Sequence, residues 1–327
     1  MPLNDMTELE LLAHRVTTPE PDDLDEWWSA RLAKTRAQAT PTTLREHAPE
    51  AYRPLSVHDV EFSGAEGHRI RGWYLRPPGD DGARLPVVVS YIGYGGGRGL
   101  PAGHTLLPSV GFAHFVMDSR GQGGVSTIGV TGDPGSGSAG PEHPGVMTRG
   151  ITNRDDYYYG RLFLDAARAV DVAAELPGVD PDRIAVSGGS QGGGMALAAA
   201  ALCGDRVKVC HSDVPFLCDL HRAIRISGEG PYTEISDFLA QQVELVPAAL
   251  DTLRYIDCAL LARRIVASCL FSVGLMDEVC PPSTVYAAYH EVTAPKQITV
   301  SPFGKHTTPT SHVEVQLRHL KEALGAR

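Results

Sequence analysis

Apolar and polar positions alternate in two different ways along this chain, and the change from one to the other marks out its elements. Val57 to Ser63 alternates in part, and His68 to Arg76 more clearly, with Glu66-Gly67 between them as a turn signal. This predicts an antiparallel hairpin. From Pro86 onward the pattern becomes short apolar runs at 86–92 and 112–117, with further strands expected at 183–187, 207–211, 268–273 and 297–302. Runs of this kind belong to strands buried on both faces. Stretches of helical period lie between or beyond them, at 156–176, 191–202, 282–292 and 313–324. Strands alternating with helices predict an α/β fold with a mostly parallel central sheet and helices on both faces.

Three segments fall outside this rhythm. Residues 1–55 read as an arm followed by a loop. Asp22, Asp23, Asp25 and Glu26 open a helix with acids where its dipole favours them, and Trp27 and Trp28 are expected to pack the arm on the body. Residues 215–265 carry helical patterns broken by Gly228-Glu229-Gly230-Pro231, which predicts a helical insertion. Residues 131–145, rich in Gly, Pro and Ser, read as a surface loop. No internal repeat interrupts the chain, so residues 1–327 are expected to form a single domain.

Composition narrows the class. Hydrophobic residues make up 43% and charged residues 21% of the 327, which excludes disorder, collagen and coiled coil. The net charge of −10 repels phosphate backbones, so nucleic acid is not the expected partner. No apolar run approaches the ~20 residues that span a bilayer, so no membrane partner is expected. Met1 to Val16 carries acids where a signal peptide needs basic residues, and a cytoplasmic location is expected. The six cysteines (Cys203, Cys210, Cys218, Cys258, Cys269 and Cys280) include no CxxC pair and no zinc-finger spacing. They read as reduced, buried small hydrophobes, with no metal.

The chemistry concentrates where the 183–187 strand gives way to the Ala-rich helix. Gly188-x-Ser190-x-Gly192 sits in that turn, the context of a nucleophile elbow, with the serine at a helix N-terminus. A phosphate-binding loop is the competing reading of such glycines. The Lys-Ser/Thr of a Walker loop is absent, and no GxGxxG follows the first strand of a βαβ unit. A serine needs a base, and an elbow of this kind orders its partners serine, acid, histidine along the chain. Asp277 follows the 268–273 strand, with Glu278 as the neighbouring alternative. His306 follows the next strand, with His312 as its competitor at the start of the last helix. The oxyanion would be held by the N–H of Gln191 and by a second N–H from the Gly93-Tyr94-Gly95 turn, where Tyr94 is the candidate.

These residues sit in a longer ordered set: Gly93-Tyr94, Arg120-Gly121-Gln122-Gly123-Gly124, Thr148-Arg149-Gly150-Ile151, Tyr157-Tyr158-Tyr159, Arg183-Ile184, Gly189-Ser190-Gln191-Gly192-Gly193, Val214-Pro215-Phe216-Leu217-Cys218, and Gly274-Leu275-Met276-Asp277 with Cys280-Pro281-Pro282-Ser283-Thr284. The set resembles the cephalosporin C deacetylase and acetyl xylan esterase family of carbohydrate esterases. The resemblance implies an α/β-hydrolase fold and hydrolysis of acetyl esters on small carbohydrates and cephalosporin-type compounds. It implies Ser190 as nucleophile, Asp277 as orienting acid, His306 as base, Tyr94 and Gln191 as oxyanion donors, and Arg120-Gly121-Gln122 as a structural motif beside the site. It implies no cofactor, and a homo-oligomer built as a trimer-based hexamer whose sites face an internal cavity. Two positions depart from the family's pattern. Lys305-His306-Thr307 stands where a Gly-His-Glu run is usual, and Gly160 follows the tyrosines where arginine is usual. An acyl-aminoacyl peptidase-like hydrolase and a catalytically inactive binding scaffold are the alternative readings.

Overall fold

The strands are β1 (Thr43–Glu46), β2 (Ser56–Ser63), β3 (Arg69–Arg76), β4 (Leu85–Tyr91), β5 (Ala113–Met117), β6 (Val179–Gly189), β7 (Val207–Asp213), β8 (Ser268–Gly274) and β9 (Lys296–Ser301). They form one sheet in the order β1-β2-β3-β5-β4-β6-β7-β8-β9 in a computed structural model that describes residues 5–79, 82, 84–137, 140 and 142–325. From β5 to β9 all pairings are parallel, while β1, β2 and β3 are added antiparallel at one edge.

The unbroken apolar runs have a direct cause: both faces of the sheet are covered at the central strands, whereas β9 at the edge has no fully buried residue. Val87, Val89, Ile184 and Val186 face the helices Tyr158–Glu175 and Gln191–Cys203, within the main core. The intervening Val88 and Ala185 face the other way, with Phe112 and Val209, and are covered by Leu320 and Leu324 of the terminal helix His312–Leu324. The β2–β3 hairpin pairs Ser56 with Arg76 through to Ser63 with Arg69, and Glu66 turns it at φ 59°.

The 215–265 segment is helical as expected, with helices Leu220–Ile226, Tyr232–Gln241 and Val246–Ile256. The arm helix Leu24–Ala37 buries both tryptophans. Their rings meet edge-on at 4.8 Å, and Trp28 Nε1 donates to the Tyr255 carbonyl at 2.9 Å. The rest of the arm is more ordered than a loop. A short helix, Glu8–Ala13, is closed by a Thr7–Glu10 capping box. Thr43–Glu46 forms the outermost strand, with none of its four residues buried, so its sequence needs no apolar alternation. The 131–145 segment falls partly outside the described residues, and its described part is not all surface. Thr131 and Asp133 are buried.

Candidate functional site

Ser190 links β6 to the helix Gln191–Cys203 at φ 56°, a region L-residues rarely occupy. Three hydrogen bonds hold its backbone there. Its N–H donates to the Asp213 carbonyl at 2.9 Å, and its carbonyl accepts from the N–H groups of Gly194 and Phe216 at 3.0 Å each. The close passage of strand and helix requires glycine. A Cβ at Gly188 would lie 2.3 Å from the Gly192 backbone, and one at Gly192 would lie 2.3 Å from the Tyr91 carbonyl oxygen.

Asp277 lies past the end of β8 and His306 past the end of β9. The two loops are stitched together by Leu275 N–H to the Ser301 carbonyl at 3.0 Å and Met276 N–H to the Gly304 carbonyl at 2.9 Å. His306 Nδ1 and Asp277 Oδ2 are 2.8 Å apart. The acid side chain is 0% exposed and the imidazole 26%, so a buried carboxylate orients a ring that reaches solvent. The other carboxylate oxygen accepts the N–H groups of Val279 and Cys280, each at 2.9 Å. It is therefore Asp277, not Glu278, that meets the histidine. With Nδ1–H donated to Asp277, Nε2 carries the lone pair. Nε2 bonds no described residue, and Ser190 and His306 share no hydrogen bond here. The Cys280 thiol, three residues after Asp277, is buried on the same loop. Burial pushes that thiol well above its usual range, which makes it an inert neighbour.

His312 is placed elsewhere. It is buried and 2.8 Å from Asp213, so it belongs to a second imidazole–carboxylate pair behind the Ser190 turn. That pair escapes sequence reasoning because Asp213 is simply the last residue of a buried strand.

The N–H groups of Tyr94 and Gln191 bond no other described residue, and the loop carrying Tyr94 is fixed on both sides. Gly95 N–H donates to Gln122 Oε1 at 2.7 Å, and Gln191 Nε2 donates to the Ile92 carbonyl at 3.1 Å. Gln122 Nε2 donates in turn to Tyr158 Oη at 2.8 Å and Gln191 Oε1 at 2.9 Å, and the Tyr159 hydroxyl donates to Gln191 Oε1 at 3.0 Å. The Tyr94 hydroxyl donates to Glu234 at 2.5 Å and accepts from Gly145 and Val146 N–H. Burial, reinforced by the Glu234 contact, raises this phenol well above its ordinary pKa.

Arg120 is 0% exposed and binds a helix as well as loops. Its Nε and Nη2 grip both oxygens of Asp165 at 2.6 and 2.8 Å, and its Nη1 reaches Asp133 at 3.2 Å. Asp133 also accepts from Arg161 at 2.8 Å. Burial alone would lower the guanidinium pKa, but the charges of Asp165 and Asp133 outweigh it and the net shift is upward. Gly121, next to it, takes φ 64° and donates to the Thr131 carbonyl at 2.9 Å. The Arg120 pairs thus anchor the loop that carries Gln122.

Among the described residues no cluster of three or more His, Cys, Asp or Glu side chains is arranged to hold a metal, and no helix is long and apolar enough to cross a membrane.

Comparison with known proteins places this geometry. The acetyl xylan esterase family profile matches residues 1–324. The acetyl xylan esterase from Paenibacillus sp. R4 superposes with a TM-score of 0.89 at 35% identity, covering 98% of this chain and 100% of that one. Acetyl xylan esterase 1 from Thermoanaerobacterium sp. JW/SL YS485 gives 0.86 at 33%, covering 98% and 99%. Acetyl esterase Axe7A of Xylanibacter ruminicola is 27% identical over 310 residues, 93% of this chain and 68% of that protein. An elbow serine, a buried acid–imidazole pair and a whole-chain match all point one way: this chain belongs to the acetyl xylan esterase family and is a carboxylic ester hydrolase of the α/β-hydrolase fold.

Proposed function

We propose that residues 1–327 act as one catalytic domain that removes acetyl groups from small carbohydrates and cephalosporin-type compounds, with Ser190, His306 and Asp277 as its triad. The observation that carries this reading is the 2.8 Å pair between buried Asp277 and His306, on the loops that follow β8 and β9.

The reaction has two halves. His306 Nε2 takes the Ser190 proton as Oγ attacks the acetyl carbonyl carbon. The resulting oxyanion accepts the N–H groups of Tyr94 and Gln191. The intermediate collapses, the C–O bond to the sugar breaks, and the alcohol leaves with the proton from His306. Water, deprotonated by the same ring, then attacks the acetyl carbon; the bond to Oγ breaks, His306 returns the proton to Ser190, and acetate leaves. Asp277 stays ionised, holding the Nδ1–H tautomer and stabilising the charged ring. Each oxyanion donor contributes about 3–4 kcal/mol to the barrier reduction.

Ser190→Ala is expected to lower kcat on p-nitrophenyl acetate by at least about 10³-fold with an unchanged circular dichroism spectrum. Retained turnover would end the assignment. A panel running from xylose tetraacetate to cephalosporin C, longer acyl esters and acylated peptides sets the substrate class. Cleavage of peptides but not acetylated sugars would favour the peptidase reading, and no hydrolysis by folded protein would favour a scaffold. The six cysteines are unpaired and buried, which supports function in a reducing cytoplasm. Leu100, Val125, Ile128 and Val130 are exposed on adjoining loops, which supports self-association. A trimer-based hexamer is expected by light scattering, and a monomer at micromolar concentration would exclude it.

A further inference from the structure

We infer that His312 is a positioning residue for this reaction: acting through Asp213, it holds the Ser190 turn in its attacking conformation. The inference rests on Ser190 being the nucleophile, as proposed above.

Ser190 occupies a backbone region that persists only where the surroundings over-determine it. One of the three bonds that hold it comes from the Asp213 carbonyl, so the placement of Asp213 is the placement of the nucleophile. The Asp213 side chain is gripped by three donors. His312 Nε2 at 2.8 Å and Ser272 Oγ at 2.9 Å reach Oδ1, and Gln316 Nε2 at 2.8 Å reaches Oδ2. Two of these donors belong to the terminal helix, which covers the opposite face of the sheet from the helix that Ser190 starts. Ser212, the neighbouring residue, repeats the tie by donating to the Gly193 carbonyl at 3.0 Å.

The histidine has no other task in view. Its side chain is 1% exposed, so it meets neither solvent nor substrate. Its Nδ1 is buried and lacks a hydrogen-bond partner among the described residues. A buried donor without an acceptor is costly, so the ring hydrogen sits on Nε2 and points at Asp213. A ring held with one nitrogen unpartnered is placed for the sake of the other. Remove that donor, and the carboxylate turns to find a substitute. The same residue's carbonyl moves with it, and Ser190 loses alignment with the attacking geometry, where small displacements cost rate rather than binding.

The test compares His312→Phe, which keeps a ring of similar bulk, with His312→Gln, which keeps an N–H donor at a similar reach. Active sites are titrated with a serine-directed phosphonate. His312→Phe is expected to lower kcat per titrated site on p-nitrophenyl acetate at least tenfold with KM within twofold, and His312→Gln to recover kcat to within threefold of the parent. A role confined to stability would lower the melting temperature of both variants and leave kcat per site unchanged. That outcome, or equal kcat losses in the two variants, overturns the inference. Should His312→Phe fail to fold, Ser272→Ala removes the other donor to the same oxygen. It is expected to lower kcat severalfold at constant KM, and an unchanged kcat overturns the inference. Loss of activity in Ser190→Ala alongside full activity in these variants rejects this inference alone, whereas activity in Ser190→Ala rejects the nucleophile first.

Discussion

In the proposed mechanism Gln191 has two jobs at once, as oxyanion donor and as brace. Its backbone N–H bonds no other described residue, while its side-chain amide ties the Ile92 carbonyl to the tyrosines beneath. Gln122 completes the frame by accepting Gly95 N–H, which fixes the loop that presents Tyr94. Loss of one oxyanion donor typically costs 10²–10³ in kcat. Gln122→Ala leaves both backbone donors present but loosens one of them. It is expected to lower kcat by about 10- to 100-fold with little change in KM, read from steady-state kinetics on p-nitrophenyl acetate. A raised KM at constant kcat would show that Gln122 shapes binding rather than the anion site.

Among the elements, the helix Tyr158–Glu175 carries the most weight because a charge is buried beneath it. Arg120 bridges this helix to the loops of Ala65 and Asp133, with no solvent contact. Arg120→Met removes the cation and leaves buried Asp165 without its charge partner, while Asp133 keeps Arg161. The expected destabilisation is about 3–5 kcal/mol, seen as a lower urea midpoint at unchanged slope. A loss under 1 kcal/mol would mean that water replaces the guanidinium. The same helix shows what a sequence discloses and what it hides. Its period is plain because Leu162, Phe163, Ala166 and Val170 must meet the sheet. Asp165 reads as one more polar position, and only the packed arrangement shows that it points inward. The buried strands were legible because both faces are covered, whereas Thr43–Glu46 pairs at the edge with no burial to leave a pattern. Ser190, Asp277 and His306 could be proposed together because chain order and strand ends constrain them. The Asp213–His312 pair could not, because nothing in a strand-terminal Asp and a helix-initial His announces that they meet across the sheet.

At the scale of the whole molecule, several histidines are enclosed uncharged, and this sets the response to acid. Burial lowers the pKa of His114 to about 4 and that of His211 to about 3. Both folded values lie below the ordinary ~6.5, so their contribution to stability is present above that value and drains as pH falls through it toward 4. Asp257 works in the opposite sense. Burial and the nearby Asp219 raise its pKa to about 7, so its contribution is full below its ordinary ~3.9 and is lost as pH rises toward 7. Each group changes stability by about 1.4 kcal/mol per pH unit inside its window. Two losses against one gain leave a net loss of about 1.4 kcal/mol per unit between pH 6 and 5. Burial also lowers His104, His221 and His319, which steepens the same limb. The fold is therefore expected to lose stability steadily below pH 6.5. Replacing His211 with Gln keeps a polar partner for His319 and deletes one titrating site. Urea unfolding at pH 7, 6 and 5 should then show a pH slope shallower by about 1.4 kcal/mol per unit. A slope matching that of the parent would mean that His211 is already protonated, or solvated, in the folded protein.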